Sequence, residues 1–260
     1  MSAVLAGPVT DAVILTKRSL RHIGRSPDTI ITTAITPIAM MLLFVYVLGG
    51  AIHTGTGRGS GHYTTYLLPG ILLMTIGSGV AYTAYRMFLD VSSGIVERFQ
   101  SMPIARSAFL WSHVLTSQVA NHVSLVLVVL VALVMGFRTS AGPLAWLGVL
   151  GLLMLFTLAL TWLAIIPGLT AKTPDGVSGF SYPLVFLPFI SSAFVPTDSM
   201  PGPVRWFAEH QPVTSIVNTV RALWAGSPVG DAWWTALIWC GVLLGVAYVF
   251  AMRAYRRKVA

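Results

Sequence analysis

Residues 144–166 read LAWLGVLGLLMLFTLALTWLAII, a nearly unbroken apolar stretch without one charged side chain. About 20 apolar residues suffice for a helix to cross the hydrocarbon core of a bilayer, so the stretch reads as a transmembrane span. Comparable runs lie at 30–50, 64–86, 116–136, 177–195 and 233–252. The fold predicted from them is an all-α membrane protein with six transmembrane helices. None of the six runs holds Asp, Glu or Lys, and Arg86 stands only at the end of the second. Because a charge at the bilayer centre costs roughly 2.5–3.5 kcal/mol on insertion, that absence is what lipid-facing helices require.

Composition agrees. The chain has 260 residues, 55% of them hydrophobic and 9% charged, with a mean hydropathy of +0.79. Soluble domains carry about a quarter charged residues. A net charge of +8 would suit nucleic acid, but the Lys and Arg residues cluster at the ends of apolar runs rather than along one polar face, so no nucleic-acid partner is expected. Cys240 is the single cysteine, which leaves no intrachain disulfide and no cysteine metal cluster.

Charge also orients the chain. Lys17, Arg18, Arg21 and Arg25, then Arg86, Arg98 and Arg106, then Lys172, then Arg253, Arg256, Arg257 and Lys258 fall on one side of a six-span topology, twelve in all. Arg58, Arg138, Arg205 and Arg221 fall on the other. Positive residues stay inside, so both termini and the 86–115 loop are expected to be cytoplasmic, in a multi-pass protein of the cell inner (plasma) membrane. No apolar core precedes a cleavage site, so the N-terminus is expected to be retained. The whole chain, 1–260, reads as a single transmembrane domain.

Three non-spanning segments stand out. Residues 1–28 contain VTDAVILTKRSLRHIGR (9–25), in which Val9, Ala12, Val13, Thr16, Leu20 and Ile23 share one helical arc and the basic residues the other. This pattern predicts an amphipathic interfacial helix. Residues 51–62, AIHTGTGRGSGH, lack the Gly-Lys-Ser/Thr ending of a phosphate loop and read as a flexible external turn. Nucleotide hydrolysis must then come from another polypeptide. In 196–232, Val213, Ile216, Val217, Val220, Leu223 and Trp224 recur at helical spacing, with Pro212 suited to a first turn and Gly226 to a stop. Thr214, Ser215, Asn218 and Arg221 take the other face. With Trp206, Phe207 and Trp224 at the interface, the segment reads as a re-entrant helix pair in the outer leaflet.

Catalytic chemistry is not indicated. The six histidines lack ligand spacing, so no metal site is expected. All eight acidic residues lie outside the predicted spans. The spans offer no ionisable group near the bilayer centre, which weighs against the alternative function, an ion-coupled secondary transporter. No catalytic constellation marks the chain as an enzyme.

Charge is concentrated instead in VERFQSMPIARSAF (96–109). Helix two can continue past the bilayer from Arg86 to Phe99, and Pro103, with Ser101 as cap, suits the first turn of a new helix. Ile104, Phe109 and Trp111 would hold that helix at the membrane surface. The result is a charged knob in the 87–115 segment, with Phe99 beside Arg98 composed like an interface hot spot.

Here the sequence resembles the membrane subunits of ABC-2 type exporters, and most closely the daunorubicin-resistance (DrrB-like) permease group. The resemblance rests on YLLPGILLMT (66–75), ERFQSMPIARSAFLWSHVL (97–115), MGFR (135–138), SSAFVPTDSMP (191–201) and FAEHQPVTSIVNTVRAL (207–223). It implies a six-span permease that dimerises with the same or a sister chain and docks onto separate ATP-binding cassette ATPase subunits. ATP and Mg would be bound by that partner, with no cofactor in this chain, and transport would be export of drugs, lipids or hydrophobic natural products. The resemblance further implies that Glu97, Arg98, Phe99, Gln100, Ser101, Met102, Pro103 and Arg106 form the ATPase-coupling element, and that the N-terminal helix contacts the ATPase. For the pathway, spans one, two and five supply Phe44, Tyr82, Phe186 and Phe189 as aromatic contacts for an apolar or amphiphilic substrate. Pro183 and Pro188 should kink span five toward that path, and Pro167 and Gly168 should end span four abruptly.

Overall fold

A computed structural model describes residues 13–17, 19, 28–48, 60–95 and 108–259. Among these residues the regular structure is helical, without a strand. The elements run α1 (Asp28–Leu42), continued by a π-helical stretch (Leu43–Leu48), then α2 (Ser60–Ser92), α3 (Ala108–Val134), α4 (Pro143–Thr170), α5 (Pro174–Phe186) with a 3-10 turn (Leu187–Ile190), α6 (Gly202–His210), α7 (Pro212–Ala225) and α8 (Ala232–Val259). Of the interfacial helix expected over 9–25, residues 13–17 and 19 are helical; the remainder lies outside the described residues.

Four helices are long and apolar enough to cross a membrane, over 63–92, 108–134, 143–170 and 232–258. The runs expected as spans one and five are shorter helices. The apolar part of the first is 34–47, and α5 has 13 residues before it tightens into the 3-10 turn. Proline explains part of this: Pro37 interrupts the ladder of α1 and Pro183 that of α5. At the start of α5, Thr173 caps the helix, its hydroxyl accepting from the Gly176 N–H at 3.3 Å. Pro174 takes the first turn, where its missing N–H does no harm.

The 33-residue α2 is the hub, packing against α1, α3, α4, α5 and α7. Small residues let these neighbours close in. A Cβ on Gly70 would sit 2.7 Å from Ala193 Cβ, one on Gly77 2.9 Å from the Leu184 carbonyl, and one on Gly79 2.2 Å from Asn121 Oδ1. At about 1.5 Å per residue α2 is roughly 50 Å long, more than a bilayer core needs. It begins within the glycine-rich segment, so residues 60–62 are helix rather than external turn. It ends earlier than the expected Phe99: Gly94 adopts φ 72°, and its N–H bonds the Val91 carbonyl at 3.3 Å, breaking the rod.

Other expectations need correcting. Span four does not stop at Pro167 and Gly168. The Ala171 N–H bonds the Pro167 carbonyl at 2.9 Å, so α4 reaches Thr170, and Gly168 is where Met87 of α2 nests against it. Because α3 begins at Ala108, Phe109 is buried with Met87, Val114, Trp162 and Leu169 rather than lying on a membrane surface. Trp111 is partly exposed and meets Trp162 edge-on at 5.2 Å. Trp224 is likewise in the core, against Phe137 at 5.0 Å and Trp146 at 5.6 Å, not at an interface. Trp206 and Phe207 are exposed. Outward faces of α3 (Val126, Leu130) and α8 (Ile238, Val242, Phe250) carry exposed apolar side chains, as lipid contact allows.

Between α2, α3 and α4 runs a buried polar seam. The Thr83 hydroxyl donates to Ser117 Oγ at 2.9 Å, and Ser117 meets Thr161 at 3.1 Å. Asn121 Nδ2 donates to the Ser117 carbonyl at 2.9 Å. His122, whose Nδ1 lies 2.7 Å from the Gln118 carbonyl, puts an ionisable ring inside a candidate span, which corrects the expectation of none.

Candidate functional site

The region that draws most polar groups together surrounds the first turns of α2. Pro69 lacks the N–H that would bond the carbonyl four residues back, so one rung is missing from the ladder of α2 there. Gly70 follows, and its bare backbone admits the turn at 191–194. Into this junction α7 brings Arg221. Its Nε and Nη2 donate to the Tyr66 carbonyl at 3.1 and 2.9 Å, and Nη2 also reaches the carbonyls of Ser192 and Ala193, each at 2.8 Å. The guanidinium lies 3.7 Å from the centroid of the Tyr66 ring, a cation–π contact. Among the described residues no carboxylate is in ion-pair reach of it. Burial pulls its pKa below the ordinary arginine value, yet an arginine remains charged at physiological pH. The partial negative charge of three carbonyls and one ring face replaces a counter-ion.

Three more residues of α7 and its cap address the same turn. Thr214 Oγ1 accepts the Ser192 N–H at 3.2 Å, Asn218 Oδ1 accepts the Ser192 hydroxyl at 2.9 Å, and the Gln211 side-chain amide donates to the Ile190 carbonyl. Tyr66 adds its hydroxyl to the Ser192 carbonyl at 3.1 Å. Helix α7 itself is placed as expected, with Pro212 in its first turn and Gly226 at φ 65° closing it. On the polar face of α7, Thr214 and Ser215 are buried.

From this turn Phe194 projects into a ring cluster. It stacks on Phe189 of the 3-10 turn at 4.7 Å and on Phe44 of the π-helical stretch at 5.1 Å, while Phe186 meets Phe189 at 6.0 Å. Three of the four aromatic candidates, Phe44, Phe186 and Phe189, therefore converge. Tyr82 stands about four helical turns further along α2 from Tyr66, half-buried beside the polar seam. Phe194, which the sequence reading did not single out, is the buried centre at 6% exposure, and Phe186 the exposed edge at 57%. Arg221 was missed too. It carried a signal, since it was one of the few positive charges on the side from which such charges are depleted.

The motif MGFR acquires a local role. Gly136 at φ 96° ends α3, the Arg138 guanidinium donates to the carbonyls of Leu133 (2.9 Å) and Phe137 (2.7 Å), and Phe137 plugs the space beside Trp224. Thr139 donates to the Trp224 carbonyl at 2.6 Å, tying this turn to the end of α7. On exposed α6, Arg205 bridges Asp198 at 2.8 Å and Glu209 at 2.7 Å. Its hydrogen bond to Glu209, then the charges of Glu209 and Asp198, raise its pKa.

At the opposite end of α2, Asp90 Oδ2 lies 3.0 Å from Nε2 of His113 on α3. Asp90 thus belongs to the last turns of a candidate span, not outside it. This pair braces the two helices on either side of the 96–107 connection, and the Phe109 ring packs edge-on to His113 at 4.9 Å. The coupling residues themselves, Glu97, Arg98, Phe99, Gln100, Ser101, Met102, Pro103 and Arg106, lie outside the described residues. No cluster of His, Cys, Asp or Glu among the described residues has the makings of a metal site.

Comparison with known proteins follows this geometry. The family model for the ABC-2 type transporter matches residues 10–224. Over 250 residues, 94% of this chain and 85% of the relative, the sequence is 29% identical to the daunorubicin resistance ABC transporter permease protein DrrB1 of Streptomyces coeruleorubidus. It is 26% identical over 249 residues to the probable doxorubicin resistance ABC transporter permease protein DrrC of Mycobacterium tuberculosis, covering 96% of this chain and 89% of that one. A putative transport permease, ycf38 of Cyanophora paradoxa, is 24% identical over 84% of the chain.

Proposed function

Because this chain belongs to the ABC-2 type transporter family, a multi-pass membrane subunit of an ABC transporter, we propose that it forms half of a dimeric exporter for hydrophobic or amphiphilic compounds. The observation that carries the reading beyond the family is the convergence of Phe44, Phe186, Phe189 and Phe194 beside a charged, carbonyl-bonded turn. Flat aromatic drugs of the kind named for its relatives, daunorubicin and doxorubicin, match such a surface by stacking. In this proposal α1 to α5 and α8 are six spans, with the two short members, α1 and α5, completing the path between two permease chains. Tyr82 lines the same path deeper along α2.

The twelve-to-four distribution of Lys and Arg supports cytoplasmic termini in the inner membrane. The 191–225 region then forms the outer mouth, where the end of the fifth span passes into a 196–232 segment that does not cross the bilayer, and the 87–115 segment faces the cytosol. Glu97, Arg98, Phe99, Gln100, Ser101, Met102, Pro103 and Arg106 meet ATPase subunits that bind ATP and Mg; this chain contributes no catalytic group. Closure of the ATPases on ATP pushes the segment, and α2, gripped by its neighbours along its length, carries the displacement to the aromatic mouth as one element. Membrane lipid covers the exposed faces of α3 and α8.

The test is to purify a C-terminally tagged chain from its native membrane in mild detergent and identify its companions. An ATP-binding cassette protein is expected, lost from the Glu97→Ala/Arg98→Ala double variant, whose drug-stimulated ATPase activity and transport should fall while its membrane insertion is unchanged. Transport unaltered in that variant would remove the coupling assignment. A chain that brings down no ATPase after crosslinking would overturn the exporter reading.

A further inference from the structure

Gln211, Thr214, Asn218 and Arg221 recur at intervals of three, four and three residues, which places them in one stripe along α7. Each of the four bonds to a residue of the single segment 190–193. Arg221, alone of the four, ties the turn to a second element, the first part of α2, through the Tyr66 carbonyl. The next residue after the clamped segment is Phe194, whose ring packs against those of both Phe44 and Phe189.

From this geometry we propose that the α7 stripe is a clamp, and that Arg221 is the positioning residue that sets the shape and width of the aromatic mouth and so its preference among flat amphiphilic substrates. Arg221 does not touch the substrate; it acts through the turn and Phe194. The proposal rests on the reading of the ring cluster as the pathway lining. Lysine would be a poor replacement, because a single ammonium cannot span carbonyls on two elements as a planar guanidinium does.

Two measurements test it, one independent of transport. In a Cys240→Ala, Ser192→Cys background, the new thiol is buried and should react slowly with a water-soluble maleimide in detergent. Arg221→Gln should speed labelling at least ~10-fold, Arg221→Lys less, and Arg205→Gln not at all. In vesicles holding the full complex, Arg221→Gln and Phe194→Leu should both raise the KM for daunorubicin several-fold and leave Vmax within about twofold. Labelling of Arg221→Gln at the parental rate, or a fall in Vmax with KM unchanged, would overturn the clamp. If Arg221→Gln does not accumulate, Thr214→Val, which removes the acceptor of the residue-192 N–H and leaves that backbone group in place in the cysteine background, supplies the same comparison in milder form. A wild-type complex that exports no daunorubicin would refute the substrate proposal, while the labelling result still decides whether the clamp exists.

Discussion

Gly79→Ala is expected to destabilise the bundle far more than a single methyl in a helix suggests. The new Cβ would stand 2.2 Å from Asn121 Oδ1, where ordinary contact begins at 3.4 Å, a shortfall of about 1.2 Å. Asn121 is buried on all sides at 2% exposure. Its amide must swing away, breaking the bonds of Nδ2 to the Ser117 carbonyl (2.9 Å) and hydroxyl (3.2 Å). Overpacking of this kind costs roughly 1–3 kcal/mol, and two hydrogen bonds within a membrane bundle add about 1 kcal/mol. Alanine returns roughly 1 kcal/mol in helix propensity. The net loss is about 1–3 kcal/mol, and it depends on Asn121. In an Asn121→Ala background the clash disappears, so the second substitution should be neutral or slightly stabilising, giving a coupling energy of about 2 kcal/mol. Unfolding in mixed micelles, followed by circular dichroism as SDS is titrated in, measures all four corners of the cycle. Additive effects, or a Gly79→Ala single variant as stable as the parent, would refute the account of α2 and α3 as locked in register by this contact.

Three other outcomes are expected. Asp90→Asn removes the charge from the brace to His113, and should raise basal ATP hydrolysis relative to transport in the reconstituted complex, leaving daunorubicin KM unchanged; an unaltered ratio would show that the brace takes no part in coupling. Thr173→Ala deletes the cap of α5 and should lower stability by about 0.5–1 kcal/mol in the same micelle titration, with transport intact. The exposed Arg205 pair should contribute nothing measurable, so Arg205→Ala should melt with the parent. Because pairing raises the Arg205 pKa, any stability it gives is present below the unfolded arginine pKa and would be lost only as pH rises through the higher folded value. No arginine-linked change is therefore expected across pH 6 to 9, and a loss of stability on raising pH within that window would contradict the assignment.

Much of the architecture was legible because it is written in local signals. Pro212 and Gly226 bracket α7 as their backbone chemistry dictates, and long apolar runs locate α2, α3, α4 and α8. Errors arose where tertiary contact outweighed the local sign. Pro167 looked like a helix end, but a proline forfeits only one bond, and packing of Gly168 onto Met87 keeps α4 going. Trp224 looked interfacial because tryptophan usually is, yet Phe137 and Trp146 close over it. Phe44, Phe186 and Phe189 were found by reasoning about residue type, whereas Phe194 and Arg221 gain their meaning from a turn brought beside α2 across more than a hundred residues. No periodicity records such an approach. The bonds from α7 to the SSAF turn give a physical reason for part of the sequence pattern that carried the family resemblance.

The way Arg221 is neutralised has a consequence for the environments that the proposed mouth can tolerate. A guanidinium held by carboxylates would let go as those groups take up protons, and would be traded away to dissolved ions in strong salt. Peptide carbonyls do neither: they have no proton to gain at any pH the cell meets, and their dipoles are fixed by the helix and the turn that own them. An opening built this way should keep its shape when the medium outside the membrane turns acidic or briny, and so should go on discriminating among its cargoes where a salt-bridged gate would drift open.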